Sequence, residues 1–261
     1  MKGSAFRSRL CWTFFVLAVP SSLPPPGDLD AKAGFDQRIG SQLPMETTVT
    51  QADGRTETLE QIADGKPLVL AFGYYRCPNL CDLTLHGMAT AVARMSLRPH
   101  ADYRVVFLSI DPGETPRDAR DAQHMLASMA AHADVADWTF ATAAPAAITA
   151  MTRATGFRYF LDPRNGQYAH PAGIVVLTPD GRVAHYFFGV GYDADALRLA
   201  LVDASGGRLG SVIDRLVLLC CGYDPATGRY SLLISRIMMA LGTTFVFALL
   251  AGWAWLRRRS P

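Results

Sequence analysis

The sequence carries little charge, and its charges are nearly balanced. Only 18% of the 261 residues are charged, and the formal net charge is +2. The middle of the chain has no basic stripe interleaved with aromatic residues, so no nucleic-acid partner is expected. No internal repeat is present, and the length suits one sizeable domain with appendages.

Apolar residues make up half of the chain and are concentrated at its two ends. Near the N-terminus, Lys2, Arg7 and Arg9 precede an apolar run over residues 10–19, which is the layout of an export signal. Residues 1–26 are therefore predicted to be a signal peptide. The alternative is an N-terminal hydrophobic segment that stays as an anchor, because no clean small-x-small cleavage site follows the run.

The C-terminal end predicts a membrane anchor. Residues 237–256 form a run of 20 residues without charge, which is long enough for one transmembrane helix. Three arginines follow it in the tail, 257–261, and basic residues remain on the cytoplasmic side of a bilayer. We therefore expect a bacterial-type inner-membrane protein whose domain faces the periplasm. That compartment is oxidising, so a dithiol persists there only if it is reduced or metallated.

Between the two ends, apolar β-prone runs alternate with stretches of helical periodicity. Strands are predicted at 68–74, 103–109, 138–141 and 173–178, and helices at 80–95, 117–133, 144–155 and 193–204. A PDGR turn joins the last of these strands to another at 183–188. This order predicts an α/β domain over 35–205, with a mainly parallel sheet and an antiparallel hairpin at its edge. A linker and juxtamembrane segment, 206–235, follows.

Cys77 and Cys81 lie where the first of these strands turns into a helix. Residues four apart are separated by roughly 40° around a helix, so both sulfurs can point to the same side of its first turn. The unpaired N–H groups of a helix start favour the thiolate, which makes a cysteine both nucleophilic and metal-binding. The pair can therefore close a disulfide or bind one metal ion. Tyr74, Tyr75 and Arg76 come directly before it and are interpreted as its rim, with ordinary strand packing as the alternative for the tyrosines and a thiolate-favouring charge for Arg76.

A soft ion such as copper needs a third ligand, and imidazole is the common one. His170 is the best candidate because it lies in a loop just ahead of a central strand, although a lone histidine is more often a solvated surface residue. His86 is turned roughly 140° from Cys81 on the same helix and is predicted to be packed or solvated. The other histidines have no partner that singles them out: His100, His124, His132 and His185.

Three segments together resemble the SCO/SenC family, membrane-tethered thioredoxin-like proteins that handle copper for the assembly of respiratory cytochrome c oxidase. They are CPNLC after an aromatic-rich strand, VVFLSIDPGETP, and a histidine followed nine residues later by PDG. The resemblance spans residues 40–204. It implies a thioredoxin-like α/β fold with a central mixed sheet flanked by helices.

In that family two cysteines and a histidine bind one copper ion, and the residues that match are Cys77, Cys81 and His170. The resemblance implies a metallochaperone that delivers copper to, or reduces the cysteines of, the dinuclear copper centre of cytochrome c oxidase. Its partners are then the oxidase subunit with that centre and a periplasmic copper donor or thiol reductant. The sequence departs from the family at Asp82, where many relatives have proline, and at Pro171, which could fix the loop through a cis bond.

The main alternative is a periplasmic thiol-disulfide oxidoreductase with no metal role, because both functions need reactive cysteines and only His170 separates them. A structural zinc site is poorly supported, since a fourth ligand is hard to name. Peroxidase chemistry is also poorly supported.

Cys220 and Cys221 are interpreted as thiols packed against the anchor, with a strained vicinal disulfide or an accessory metal or redox pair as alternatives.

Overall fold

A computed structural model describes residues 32–77, 81–130 and 133–208, together with the short pieces 223–224, 229–230 and 242–246 and residue 253. The strands are β1 (Gly34–Phe35), β2 (Thr48–Gln51), β3 (Thr56–Thr58), β4 (Leu68–Gly73), β5 (Arg104–Ser109), β6 (Thr139–Thr142), β7 (Phe157–Arg158), β8 (Phe160–Asp162), β9 (Gln167–Ala169), β10 (Gly173–Leu177), β11 (Val183–Phe188), β12 (Tyr223–Asp224) and β13 (Arg229–Tyr230). The helices are α1 (Leu59–Ala63), α2 (Cys81–Arg94), α3 (Pro116–Met129), α4 (Pro145–Ala154) and α5 (Ala194–Ser205).

Seven strands form one mixed sheet in the order β11-β10-β4-β5-β6-β2-β3. Only β4–β5 and β5–β6 pair in parallel, while the other four neighbouring pairs are antiparallel. The prediction of a mainly parallel sheet is therefore wrong. The hairpin β10–β11 forms an edge as expected, but β10 itself runs antiparallel to the central strand β4.

The central strands are apolar because the sheet is covered on both faces. All six residues of β4 and all five of β10 are buried. Alternate residues of β4 enter different cores, with Val69 and Ala71 on one face and Leu70 and Phe72 on the other. Helices α2, α3 and α5 contribute to the first core, and α1 and α4 to the second.

The helix boundaries follow local capping signals. Thr115 and Asp118 form a capping box at the start of α3, and Pro116 occupies its first turn. The helix ends at Met129, four residues before the predicted end, because Ala130 leaves the helical conformation with a φ of −129°. Asp193 caps α5 by accepting a hydrogen bond from the Ala196 N–H.

No helix in the described part of the chain is long and apolar enough to cross a membrane. The predicted signal segment 1–26, most of the predicted anchor 237–256, and both Cys220 and Cys221 lie outside the described residues.

Candidate metal centre

Cys77 follows the carboxyl end of the central strand β4 by four residues. Its side chain is half-buried and packs against the second core, the one that contains Phe72. Helix α2 begins at Cys81, so the two cysteines flank the strand-to-helix turn. Residues 78–80 and the side chain of Cys81 lie outside what the structure describes.

His170 is brought to the same end of β4 by the antiparallel pairing of β10. In this register Ile174 lies opposite Ala71, so the residues that precede β10 pass beside the end of β4. The imidazole of His170 contacts the ring of Tyr74, with 5.9 Å between centroids, and the ring of Phe157, at 6.1 Å. Tyr74 directly follows β4 and comes three residues before Cys77. Two of the three predicted ligands, Cys77 and His170, therefore belong to segments that meet at this end of the sheet.

The orientation of the His170 ring suits a metal ligand. Its Nδ1 lies 3.0 Å from the carbonyl oxygen of Pro171, and because a carbonyl only accepts, Nδ1 carries the proton and donates. The lone pair of the neutral ring is then on Nε2. Metal-ligating histidines commonly donate their other N–H to a carbonyl in this way. The bond before Pro171 is trans, as are all peptide bonds in the described ranges, so the loop is not fixed by a cis bond there.

Tyr74 and Tyr75 pack inward more than the rim interpretation predicts. Tyr75 is directed into the first core, where its hydroxyl donates to the carbonyls of Ala141, at 2.8 Å, and Phe107, at 3.2 Å. Burial raises the pKa of the Tyr75 phenol well above its ordinary value. Tyr74 is also buried, and its ring contacts Tyr168 at 5.6 Å as well as His170. Both tyrosines therefore pack against the cores, and the ring of Tyr74 also contacts His170.

Arg76 is exposed but forms ion pairs with two carboxylates. Its Nη2 lies 3.2 Å from Asp111 Oδ2, and its Nε lies 3.7 Å from Glu114 Oε1. These negative groups offset the positive charge that could otherwise favour the thiolates of the site.

Glu114 is a residue of this site that the sequence analysis missed. Its side chain is fully buried, and its carboxylate accepts hydrogen bonds from the N–H groups of Tyr75 and Arg76 and from Ser109 Oγ. Burial raises the pKa of Glu114, although these hydrogen bonds act in the opposite direction. The available signal was its place just after β5, since the carboxyl ends of the parallel neighbours β4 and β5 meet at one edge.

The remaining histidines are distributed over other parts of the fold. His86 is half-buried on α2 and lines a groove of about 260 Å³ with residues of α2 and with Met129, Ala130 and Ala133. His124 is exposed on α3, His100 lies in the turn before β5, and His185 lies within β11. His132 lies outside the described residues. Within the described chain no group of three or more histidine, cysteine or acidic side chains is arranged to hold a metal, and the predicted set includes Cys81, whose side chain is not among them.

Comparison with known proteins shows the family of the chain. A sequence model of the SCO1/SenC family matches residues 37–200. The chain belongs to the SCO1/SenC family. The match covers the whole sheet from β2 to β11 and includes Cys77, Cys81 and His170. The mixed α/β fold described above is accordingly a thioredoxin-like one.

Several solved structures have a fold similar to that of this chain. A proposed electron transfer protein from Aquifex aeolicus VF5 is 23% identical, with a TM-score of 0.59 over 66% of this chain and 96% of that one. Arabidopsis thaliana ScoI, solved with copper bound, is 20% identical, with a TM-score of 0.51 over 65% and 99%. BsSco, described as a member of the Sco family of cytochrome c oxidase assembly proteins with a disulfide switch, is 20% identical, with a TM-score of 0.51 over 66% and 98%. At these identities the likeness shows the fold alone. No curated protein sequence matches significantly.

Proposed function

We propose that this SCO1/SenC protein binds one copper ion through Cys77, Cys81 and His170. It delivers that copper to, or reduces the cysteines of, the dinuclear copper centre of cytochrome c oxidase during assembly. The observation that carries the proposal is the placement of His170 against Tyr74, at the strand end that leads to Cys77. The donation from Nδ1 to the Pro171 carbonyl further supports it, because metal-ligating histidines commonly donate their other N–H to a carbonyl in this way.

The chemistry of the ligand set suits copper as a cargo. Two thiolates and one imidazole are soft donors of the kind that Cu(I) prefers. The cysteines must lose their protons to bind, so the apparent affinity rises with pH. A three-coordinate ion can also add a thiolate from a recipient before it loses one from the donor, which permits transfer by ligand exchange.

The same cysteines can carry out the reductive task. One thiolate attacks a sulfur of the partner's disulfide, forming a mixed disulfide and releasing the other partner sulfur as a thiolate. The second cysteine then attacks the mixed disulfide. Cys77 and Cys81 end oxidised as a disulfide, and both partner cysteines end reduced. A purely redox role would need this dithiol but not His170.

Cu(I) affinity in a His170→Ala variant separates the copper role from a purely redox role. We expect the full-length variant to bind Cu(I) at least about tenfold more weakly than the parent in competition with a colorimetric chelator, since even outer partners of ligands contribute on this scale. His124→Ala is the matched control, because His124 is exposed on α3. Parent-like affinity of His170→Ala would leave the thiol-disulfide oxidoreductase as the better function.

We also propose that residues 237–256 anchor the protein in the inner membrane, with the domain in the periplasm and the tail in the cytoplasm. The support is the uncharged run followed by three arginines and the export-type N-terminus. Green fluorescent protein fused after Pro261 should fluoresce, and alkaline phosphatase fused there should be inactive. The opposite pair of results would reverse the topology.

A further inference from the structure

Two backbone N–H groups just ahead of Cys77 donate to the same buried carboxylate. The N–H of Tyr75 lies 2.8 Å from Glu114 Oε2, and that of Arg76 lies 2.7 Å from Glu114 Oε1. Ser109 Oγ donates a third hydrogen bond, at 2.6 Å, to Oε2. The carboxylate therefore joins the end of β5 to the chain that leaves β4.

The position of these hydrogen bonds explains why a carboxylate is present. The pairing of β4 with β5 ends at Gly73 and Ser109, so the next N–H groups along the chain are beyond the ladder. Buried N–H groups require an acceptor, and Glu114 supplies one oxygen to each of two consecutive residues. Burying a charged group is costly unless it is well hydrogen-bonded, and these charge-assisted bonds provide that compensation.

A second set of contacts, made by the side chain of Tyr75, holds the same segment. The hydroxyl of Tyr75 donates to Ala141 O at the end of β6, and its ring lies against Phe107 and Phe140. The backbone of Tyr75 is thus bound to the loop after β5, and its side chain is bound to β5 and β6. The path of the chain from β4 to Cys77 is fixed by contacts distant in sequence.

We propose that Glu114 is a positioning residue for Cys77, which holds the first thiolate within reach of the other copper ligands. The inference rests on the proposed copper site and adds a residue that does not itself contact the ion. Its effect is transmitted through the backbone of Tyr75 and Arg76.

Asp118 offers a control with the same charge and nearly the same location. Its hydrogen bonds in the described chain are all with Thr115, in the cap of α3. The Arg76 guanidinium also contributes to lowering the pKa of Asp118, so both carboxylates interact with that charge. Glu114→Gln and Asp118→Asn remove the same charge, but only the first disturbs the bonds to residues 75 and 76.

The test measures Cu(I) affinity and amide hydrogen exchange of the full-length parent and both variants in detergent micelles. We expect Glu114→Gln to weaken Cu(I) binding at least about tenfold and Asp118→Asn less than about threefold, the former being the usual effect of losing an outer partner. The amides of Tyr75 and Arg76 should exchange faster in Glu114→Gln only. Parent-like affinity and exchange in Glu114→Gln, or an equal loss in Asp118→Asn, would overturn the proposal.

Thermal unfolding of each variant identifies a change that merely prevents folding. If Glu114→Gln does not fold, Ser109→Ala replaces it, because it removes one donor to the carboxylate and keeps Glu114 in place. Ser109→Ala is then expected to lose Cu(I) affinity, but less than Glu114→Gln. An unchanged Cu(I) affinity in Ser109→Ala would contradict the inference. A parent that binds no Cu(I) would refute the proposed function instead. In that case the exchange of the two amides alone decides whether Glu114 holds the segment.

Discussion

The residues that precede His170 form the short hairpin β8–β9, and one ion pair dominates its turn. Arg164 donates to the carboxylate of Asp162 from Nη2, at 2.7 Å, and from Nε, at 2.9 Å. The backbone N–H of Arg164 donates to the same group. These bonds lower the pKa of Asp162 to about 2. The hairpin turn is thus stabilised by hydrogen bonds from Arg164 to the ionised carboxylate of Asp162.

Replacement of Arg164 by alanine should return the pKa of Asp162 toward the ordinary value of 3.8. A carboxyl whose pKa is lowered in the folded state stabilises that state above its unfolded pKa, and the contribution is lost as the pH falls through about 2. The parent should therefore be more stable than Arg164→Ala near neutral pH, with the difference vanishing at the acid end. Carboxyl NMR titration and denaturation at several pH values measure both effects. An unchanged Asp162 titration in the variant would contradict the assignment.

Single residues also show what the sequence could and could not reveal about the site. Cys77, Cys81 and His170 were recognisable as candidate ligands because their residue types and their motifs are specific. Glu114 was not, because a glutamate beside a Thr-Pro helix start resembles an ordinary solvated residue. Its burial depends on the pairing of β4 with β5, which a single sequence does not display.

At the scale of elements, α2 packs closely against the loop that follows β11. Gly87, in the middle of α2, permits this contact, since a Cβ there would lie 1.7 Å from the carbonyl oxygen of Val190. The same Cβ would lie 3.4 Å from the ring of Tyr192, two residues further along the loop. The helix that begins at Cys81 therefore depends on a glycine for its place beside this loop.

Gly87→Ala separates helix propensity from this contact. Alanine in a free helix would be favoured by about 0.5–1 kcal/mol. The clash should instead lower the free energy of unfolding by about 1–3 kcal/mol, as overpacking does. Gly191→Ala in the same loop is the control, because no atom lies within 4 Å of its added Cβ. Chemical denaturation measures both, and a stabilised Gly87→Ala variant would show that the loop is not held there.

The elements of the sheet were predictable to different degrees. β4 and β10 are apolar throughout and β5 is apolar between Arg104 and Ser109, and the predicted ranges of all three agree with the structure within a residue or two. Strand direction was not predictable for β10, because a continuous apolar run is the same in a parallel and an antiparallel neighbour. The hairpins β2–β3 and β8–β9 were missed since they are short and their residues are mostly half-exposed or exposed. It is the antiparallel direction of β10 that brings His170 to the end of β4.

Across the whole molecule, aromatic rings connect the N-terminal strand with the candidate metal centre. Phe35 of β1 packs edge-on against Phe157 of β7, with 5.2 Å between ring centroids. Phe157 in turn contacts His170. The pairing of β1 with β7 adds a second link between the start of the domain and this region.

Phe35→Ala tests whether the N-terminal strand is an integral part of the domain. Phe35 is 6% exposed, so its truncation should lower the free energy of unfolding by about 3–5 kcal/mol. Leu161→Ala is the control, since Leu161 is 52% exposed and a surface change of this kind costs at most about 0.5 kcal/mol. Equal stabilities of the two variants, measured by denaturant titration, would show that β1 contributes little.

The three-ligand copper site is tested most directly by X-ray absorption at the copper K-edge. The full-length protein would be loaded with one equivalent of Cu(I) and compared with His170→Ala. The account predicts two sulfur scatterers and one nitrogen scatterer in the parent, and loss of the imidazole signal in the variant. An imidazole signal of equal strength in both proteins, or a parent with sulfur scatterers alone, would contradict it.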